Sequence, residues 1–304
     1  MQRRLRSAPQ LVALLLVASA VCSRDSASAE ENVTPIESVL RVWRERQRIA
    51  RTLQFELTDE HLIGKGTGSI EGPPEPAGEV TVKRRTTVTI DGDRMRLERL
   101  GEDWIAGQGV RPLTQISLFD GKFNKEFYQH HSTIGFLAAR GKHSEGGNTY
   151  LLPVVRHFRP FSAAFRPFAI DRLKVVATDA MIDKTRCILL EDALPEGLRV
   201  ASYWVAPDQG MSIVRHQTTF KGLTEWQLDA SYQNDPKHGW IPAKWQASHG
   251  TPERRLSAGK LTVEKFSINE PVPAKTFEFE FPPGTQVNDH IKRTSYIVPA
   301  NAKK

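Results

Sequence analysis

The sequence predicts a mainly β chain with some helix, an α+β fold built on an antiparallel sheet and opened by one amphipathic helix. Three observations carry that reading. Apolar and polar residues alternate through segment after segment, the pattern of half-buried strands. Turn-forming residues separate these segments at short intervals without helical stretches between them, which points to a meander rather than to parallel crossovers. Helical spacing with a complete set of start signals occurs near position 34.

Thr34 is placed to cap that helix, Pro35 to take its first position and Glu37 to complete a capping box. Ile36, Val39, Leu40 and Trp43 form one apolar stripe, while Arg41, Arg44, Glu45 and Arg48 fall largely outside it. Such a helix lies on something apolar. Beyond Ala50 the period changes: Leu53, Phe55 and Leu57 are separated by Gln54, Glu56 and Thr58, a strand with one buried face. The glycine- and proline-rich stretch 64–78 reads as a hairpin loop, after which Val80 to Ile90 resumes strand composition. Asp91-Gly92-Asp93 turns the chain into Arg94 to Leu100, where Met95 and Leu97 alternate with Arg94, Arg96 and Glu98. Asp120-Gly121 makes a second turn, joining Gln115 to Phe119 with Lys122 to Tyr128.

From Gly135 to Ile170 the alternation disappears. A short motif repeats there, Phe158-Arg159-Pro160-Phe161 and Phe165-Arg166-Pro167-Phe168, and its prolines forbid a central strand or a long helix. Short helices or loops that pack aromatics over the sheet are expected. The second half offers strands at Leu173 to Thr178, Cys187 to Glu191, Arg199 to Val205, Met211 to Phe220, Leu223 to Tyr232, Trp240 to Ser248 and Lys260 to Ile268. In the last of these the apolar positions shift parity, from Leu261 and Val263 to Phe266 and Ile268, so one inserted residue, a β-bulge, is expected near Glu264-Lys265. Phe277, Phe279 and Phe281 alternate with Glu278 and Glu280 in the cleanest strand pattern of the chain, ended by Pro282-Pro283-Gly284.

Residues 1–29 read as a secretory signal, with Arg3, Arg4 and Arg6 before the apolar run Leu11 to Val21 and the small-residue site Ala27-Ser28-Ala29. The run is shorter than the roughly 20 apolar residues of a membrane-spanning helix. The mature protein is therefore expected in the periplasm or cell envelope, soluble after cleavage near Ala29. Cys22 directly follows the run and leaves a lipid anchor as the alternative; Val21 speaks against it, because that cleavage wants a small residue before the cysteine. Without Cys22 only Cys187 remains, and no internal disulfide is possible. The net charge of +7 falls to +4 when Arg3, Arg4, Arg6, Arg24 and Asp25 leave with the signal, a mild basic bias suited to solubility or to an anionic envelope surface. Residues 30–298 read as one domain and 299–304 as a disordered tail.

Five segments of the second half stand out together: Tyr203-Trp204-Val205-Ala206-Pro207, Gly239-Trp240-Ile241-Pro242, Phe266-Ser267-Ile268-Asn269, Phe279-Glu280-Phe281-Pro282-Pro283-Gly284-Thr285 and Val287-Asn288-Asp289. With the Trp43 helix and the Arg-Pro segment, the chain resembles the exported LolA-like proteins of bacterial envelopes. The resemblance covers most of the mature chain and consists of strand and turn residues. It implies a strongly curved antiparallel sheet forming a half-open barrel, covered by the N-terminal helix and short lid helices, with an apolar cavity between. In the lipoprotein-sorting members that cavity takes up acyl chains. The resemblance thus implies a non-enzymatic carrier or acceptor of acyl chains or of a lipidated partner. The alternative is an envelope interaction or scaffold protein whose cavity is collapsed and packed. The chain is longer than a minimal carrier, and the excess is assigned to the loops 64–78 and 135–147.

Candidate lipid-binding residues are Trp43, Phe55, Leu57, Met95, Leu97, Phe158, Phe161, Phe165 and Phe168, since acyl chains need apolar walls with few polar groups. Closing an ordinary core is the competing use of the same side chains. Arg159 and Arg166 are candidates for contact with an anionic headgroup or surface. Lys83, Arg85, Arg94 and Arg96 share one sheet face, read as solvated exterior or as a face toward an anionic membrane. No metal or other cofactor is expected: His130-His131 point to opposite faces of a regular strand, and no His-Glu-x-x-His spacing occurs. No catalytic residue is named, for there is no Gly-x-Ser-x-Gly elbow and Cys187 sits in an apolar run as an inert thiol. Neither compartment nor motif supports a nucleic-acid partner, and a monomer is expected.

Overall fold

The computed structural model describes residues 33–63, 78–105, 107–129, 132–139, 151–162, 167–193, 197–250 and 255–300. Expectations for the signal, the Ala29 site, Cys22, the loop 64–77, His130-His131, Phe165, Arg166 and 301–304 lie outside the described residues. The chain divides after Val33, and the sheet belongs entirely to the part that begins at Thr34.

Helix α1 (Pro35–Ile49) starts with both halves of its capping box: the Glu37 N–H donates to Thr34 Oγ1, and the Thr34 N–H donates to the Glu37 carboxylate at 2.9 Å. Its stripe of Val39, Leu40 and Trp43 is buried. Six strands follow hairpin by hairpin: β1 (Thr52–Ile63), β2 (Val80–Asp91), β3 (Arg94–Ile105), β4 (Gly109–Phe119), β5 (Phe123–Gln129) and β6 (Thr133–Ala139). After the short helix α2 (Leu152–Phe158) comes a second meander of β7 (Leu173–Ile182), β8 (Thr185–Ala193), β9 (Arg199–Ala206), β10 (Ser212–Phe220), β11 (Leu223–Asp235), β12 (Gly239–Gly250) and β13 (Arg255–Ile268). β14 (Gln286–Asp289) and β15 (Thr294–Ile297) complete the chain. Among the described residues no helix is long and apolar enough to cross a membrane.

All these strands form one curved sheet that does not close into a barrel, in the order β15-β14-β6-β5-β4-β3-β2-β1-β13-β12-β11-β10-β9-β8-β7. Pairing of β1 with β13 fuses the two meanders, and every contact is antiparallel except β14 with β6. Strands β6 and β7 lie near opposite ends of the sheet, and α2 stands between them in the chain. Helix α2 packs on the inner face.

The bulge is where the parity shift put it. Lys265 pairs with Glu56 and Val263 with Leu57, leaving Glu264 as the extra residue. Leu261, Val263, Phe266 and Ile268 thereby all reach the inner-face cluster.

Two segments differ from the sequence reading. Residues 133–139 form strand β6, not loop, because both faces of that strand are covered and it shows a continuous apolar run instead of alternation. Conversely, 277–281 is not a strand of the sheet. After a 3-10 turn (Ala274–Phe277) the chain runs extended over the outer face of β3 to β6 as a strap. Arg96 donates to the carbonyls of Thr276 and Glu278 at 3.0 and 3.1 Å, and Lys125 to that of Phe279 at 2.8 Å. Phe277 lies under the Arg94 guanidinium, Phe279 against Phe127, and Phe281 over Gly135. The alternation is real, but it reports phenylalanines facing the sheet and glutamates facing water without a strand partner.

A β-carbon on Gly135 would stand 2.6 Å from the Phe281 ring. Gly135→Ala is therefore expected to cost roughly 1–3 kcal/mol through overpacking, and much less in a Phe281→Ala background. A double-mutant cycle in urea reads the coupling; equal costs in both backgrounds would show that the strap does not rest on Gly135.

Candidate functional site

Leu53, Phe55 and Leu57 of β1 face inward with Val88 and Ile90 of β2 and Met95 and Leu97 of β3, and β11 to β13 continue the surface with Trp226, Leu228, Trp245 and Leu261. Leu151, Val154, Val155 and Phe158 of the α2 segment press into this surface and are buried with it. Beside it, α1 covers β8 to β10 through Val39, Leu40 and Trp43. The Trp43 ring stacks on Phe168 at 4.8 Å, and its Nε1 donates to the Met211 carbonyl at 2.7 Å. From Phe168 an aromatic row runs over Tyr203, His216 and Trp226 to His249, with centroid spacings of 5.0, 4.4, 4.6 and 6.2 Å.

The proposed lining residues thus divide between two clusters. Phe55, Leu57, Met95, Leu97 and Phe158 meet in the middle of the inner face, with Phe55 and Phe158 5.9 Å apart. Trp43, Phe161 and Phe168 gather under α1. Most are almost wholly buried, Phe161 being the half-buried exception. Leu151, Val154, Val155 and Phe158 share the buried cluster on the face where the resemblance implies a cavity.

Two guanidinium clamps hold this cover. Arg46 of α1 donates to His157 Nδ1 at 2.9 Å and to the His157 carbonyl at 3.2 Å, and its other terminal nitrogen bonds the Gly210 carbonyl. His157 Nε2 lies 2.7 Å from the Trp240 carbonyl, so the ring is neutral with its proton on Nε2. Arg159 donates to the carbonyls of Phe158, Arg51 and Gly92 at 2.9, 2.6 and 3.3 Å. All three nitrogens of that guanidinium are engaged by backbone, which gives Arg159 a structural task where the sequence suggested a headgroup contact. Burial draws both arginines down to about 10, which leaves them charged at neutral pH.

An open groove of about 560 Å³ borders the Arg159 clamp, lined by Gln47, Arg48, Arg51, Asp91, Asp93 and Glu270 among others. Its walls are polar and of mixed charge. On the outer face the four basic residues singled out in the sequence are ion-paired: Lys83 with Glu60, Arg85 with Glu56, Arg94 with Asp91 and Arg96 with Glu98. Lys83 and Arg85 lie in solvent with their charges matched, whereas Arg94 and Arg96 also hold the strap.

Sequence reasoning missed a polar belt on the inner face. Asp59 continues the inward parity of Leu53, Phe55 and Leu57, and opposite it stand Arg84 of β2 and, one strand further, Arg99 and Asp103 of β3. Arg84 Nη2 donates to Asp103 at 2.6 Å, and Arg99 to Thr86 and Gln115 at 3.4 and 3.2 Å. Simple parity counting from Leu57, Val88 and Leu97 was the signal available. Among the described residues no group of three or more His, Cys, Asp or Glu is placed to hold a metal ion.

No known family profile and no curated protein matches the sequence. Among solved structures, a DUF1329 family protein from Desulfovibrio piger is similar with a TM-score of 0.50 and 10% identity, over 80% of this chain and 95% of its own. A LolA superfamily protein from Nitrosomonas europaea aligns over 79% of this chain and 97% of its own, at 11% identity and a TM-score of 0.47. The fold is similar to that of the DUF1329 structure, and in this chain it is a curved sheet left open and covered by helices.

Four inner-face histidines resist protonation: burial holds His157 well below the ordinary 6.5, His216 at about 3 and His61 at about 4, and it lowers His249 as well. The unfolded chain takes up these protons below about pH 6.5 and the folded chain does not, so the stability is complete above that pH and is lost as pH falls toward 4. Asp59 and Glu126, raised by burial, offset part of the loss near its acid end. In His157→Gln, whose amide keeps both hydrogen bonds, the fall in unfolding free energy between pH 7 and pH 5 should be smaller by about 2 kcal/mol. Urea titrations at the two pH values measure it; an equal fall in both proteins would contradict the assignment.

Proposed function

We propose that the chain is an exported, monomeric, non-enzymatic carrier or acceptor of acyl chains whose inner face α2 closes. An acyl chain, free or on a lipidated partner, binds by taking the place of the α2 side chains. The signal-like N-terminus supports export to the periplasm or envelope, with cleavage near Ala29 giving a diffusible protein and acylation of Cys22 a tethered one. The observation that supports the reading is the nature of the cover. A broad apolar face is closed by a helix of seven residues, too short to be stable on its own.

Magnitudes on the two sides of an exchange are close. Exposing Leu151, Val154, Val155 and Phe158 costs roughly 6–12 kcal/mol, at about 1.5–3 kcal/mol per side chain. An acyl chain of about 16 carbons gains on the order of 12 kcal/mol at about 0.8 kcal/mol per methylene. The two are comparable, so a lipid can replace the plug without unfolding the sheet.

A packed scaffold is the second reading, favoured by the complete burial of Trp43, Phe55, Phe158 and Trp245 in the present arrangement. The two readings separate on Arg46→Gln, which weakens the α2 clamp. A carrier with that change should bind a fluorescent fatty acid several-fold more tightly or faster than the unaltered protein, because less is spent on opening. A scaffold should bind it in neither form and only lose stability. Protein purified without detergent should also release lipid into organic solvent, detectable by mass spectrometry. Absence of lipid together with absence of fatty-acid binding would reject the carrier.

A further inference from the structure

Along three adjacent strands the inner face changes character within one inward step of two residues, roughly 7 Å. Leu57 gives way to Asp59 on β1, Thr86 to Arg84 on β2, and Leu97 to Arg99 on β3. Asp59 is 2% exposed, and no hydrogen-bond donor reaches its Oδ1. Its Oδ2 lies 3.8 Å from Arg84 Nη1 and 3.9 Å from Arg99 Nε, beyond hydrogen-bond distance. Each guanidinium is held in place from its own surroundings: Arg84 by Asp103 and the Glu102 carbonyl, Arg99 by Thr86 and Gln115. Asp103 already pairs closely with Arg84, and Asp59 adds a buried carboxylate that makes only long contacts with the two arginines.

We propose that this belt seats a single anionic head of the acyl ligand, a carboxylate or a phosphate, whose oxygens are taken by Arg84 and Arg99 at the edge of the apolar surface. The inference rests on the carrier reading and names the ligand class within it. A chain lying on the apolar surface that α2 shares with Phe55, Leu57 and Leu97 reaches the belt at Asp59 and Arg99, the next inward positions of β1 and β3. Charge balance then involves the remaining groups that face it. Arg84 and Arg99 already oppose Asp59 and Asp103, His61 is neutral, and Glu126 is bonded to Tyr128 further along the belt. An added anion is accommodated when Asp59 takes a proton from solvent, a change that burial already favours for that carboxyl.

The test displaces a fluorescent acyl probe from the mature protein with palmitic acid, hexadecanol and palmitoyl lysophosphatidic acid. The acid-to-alcohol affinity ratio within one protein is the readout, so general effects on folding or on the apolar surface cancel. The unaltered protein should prefer an anionic probe to the alcohol by about tenfold or more, the size of a charge-assisted hydrogen bond. Arg99→Gln should bring that ratio toward one. Asp59→Asn, which removes a buried charge with little change in shape, should raise it and serves if the arginine variant does not fold. Whichever anionic probe binds better identifies carboxylate or phosphate as the head. Equal binding of acid and alcohol, or a ratio that neither substitution moves, overturns the head seat and leaves the carrier intact. No binding of any of the three overturns both.

Discussion

Arg46 ties the two helical covers of the sheet to each other and to the strands beneath. An open sheet has an inner face that no second sheet covers, and here that face carries Phe55, Leu57, Trp226 and Trp245. Water must be kept from it by whatever chain the topology sends across. In the chain α2 falls between β6 and β7, which lie near opposite ends of the sheet, and it packs on that face. Seven residues do not hold a helix by hydrogen bonding alone. Their position comes from apolar contacts below and from guanidinium groups at the end.

Both clamps act on the same weak point. A helix leaves its last four carbonyls without intrahelical partners and carries partial negative charge there. In α2, Arg46 bonds the His157 carbonyl and Arg159 bonds that of Phe158, so two positive charges cap the C-terminal turn from different elements. The same arginines reach the carbonyls of Gly210, Arg51 and Gly92. Each such bond contributes only about 1.5–3 kcal/mol net even with a charged donor. Directional bonds of that size specify where α2 sits, while apolar burial decides how firmly it stays.

The elements written in local chemistry were legible: the capping box at Thr34 and Glu37, the hairpin turns at Gly92 and Gly121, and the bulge at Glu264, whose parity shift needs no partner to be seen. What escaped depends on cover from elsewhere. Strand β6 looks like no strand because the strap hides its outer face, and the strap looks like a strand because its phenylalanines face the sheet that the glutamates avoid. The apolar candidates were found as a class but not divided between the α1 and α2 clusters, since no spacing in the sequence says which helix lies over which strands. Arg84, Asp59 and Arg99 were passed over for their neighbours Lys83 and Arg85. Charge suggests an exterior, and only the inward parity of the flanking apolar residues places those three inside.

Lining a cavity and closing a core make the same demand on a side chain. Phe158 excludes water from Phe55 as an acyl chain would, at a similar gain per unit of apolar area. A buried phenylalanine is therefore no argument against a lipid site when the segment that bears it is short, held at one end by polar clamps and laid on a surface formed by other elements. The polar belt adds what a closed core does not require. A carboxylate held beyond hydrogen-bond distance of two arginines gains less than a fully satisfied one, and such groups weaken packing. On the carrier reading the belt and the α2 surface form a single site, apolar where the chain lies and charged where its head arrives.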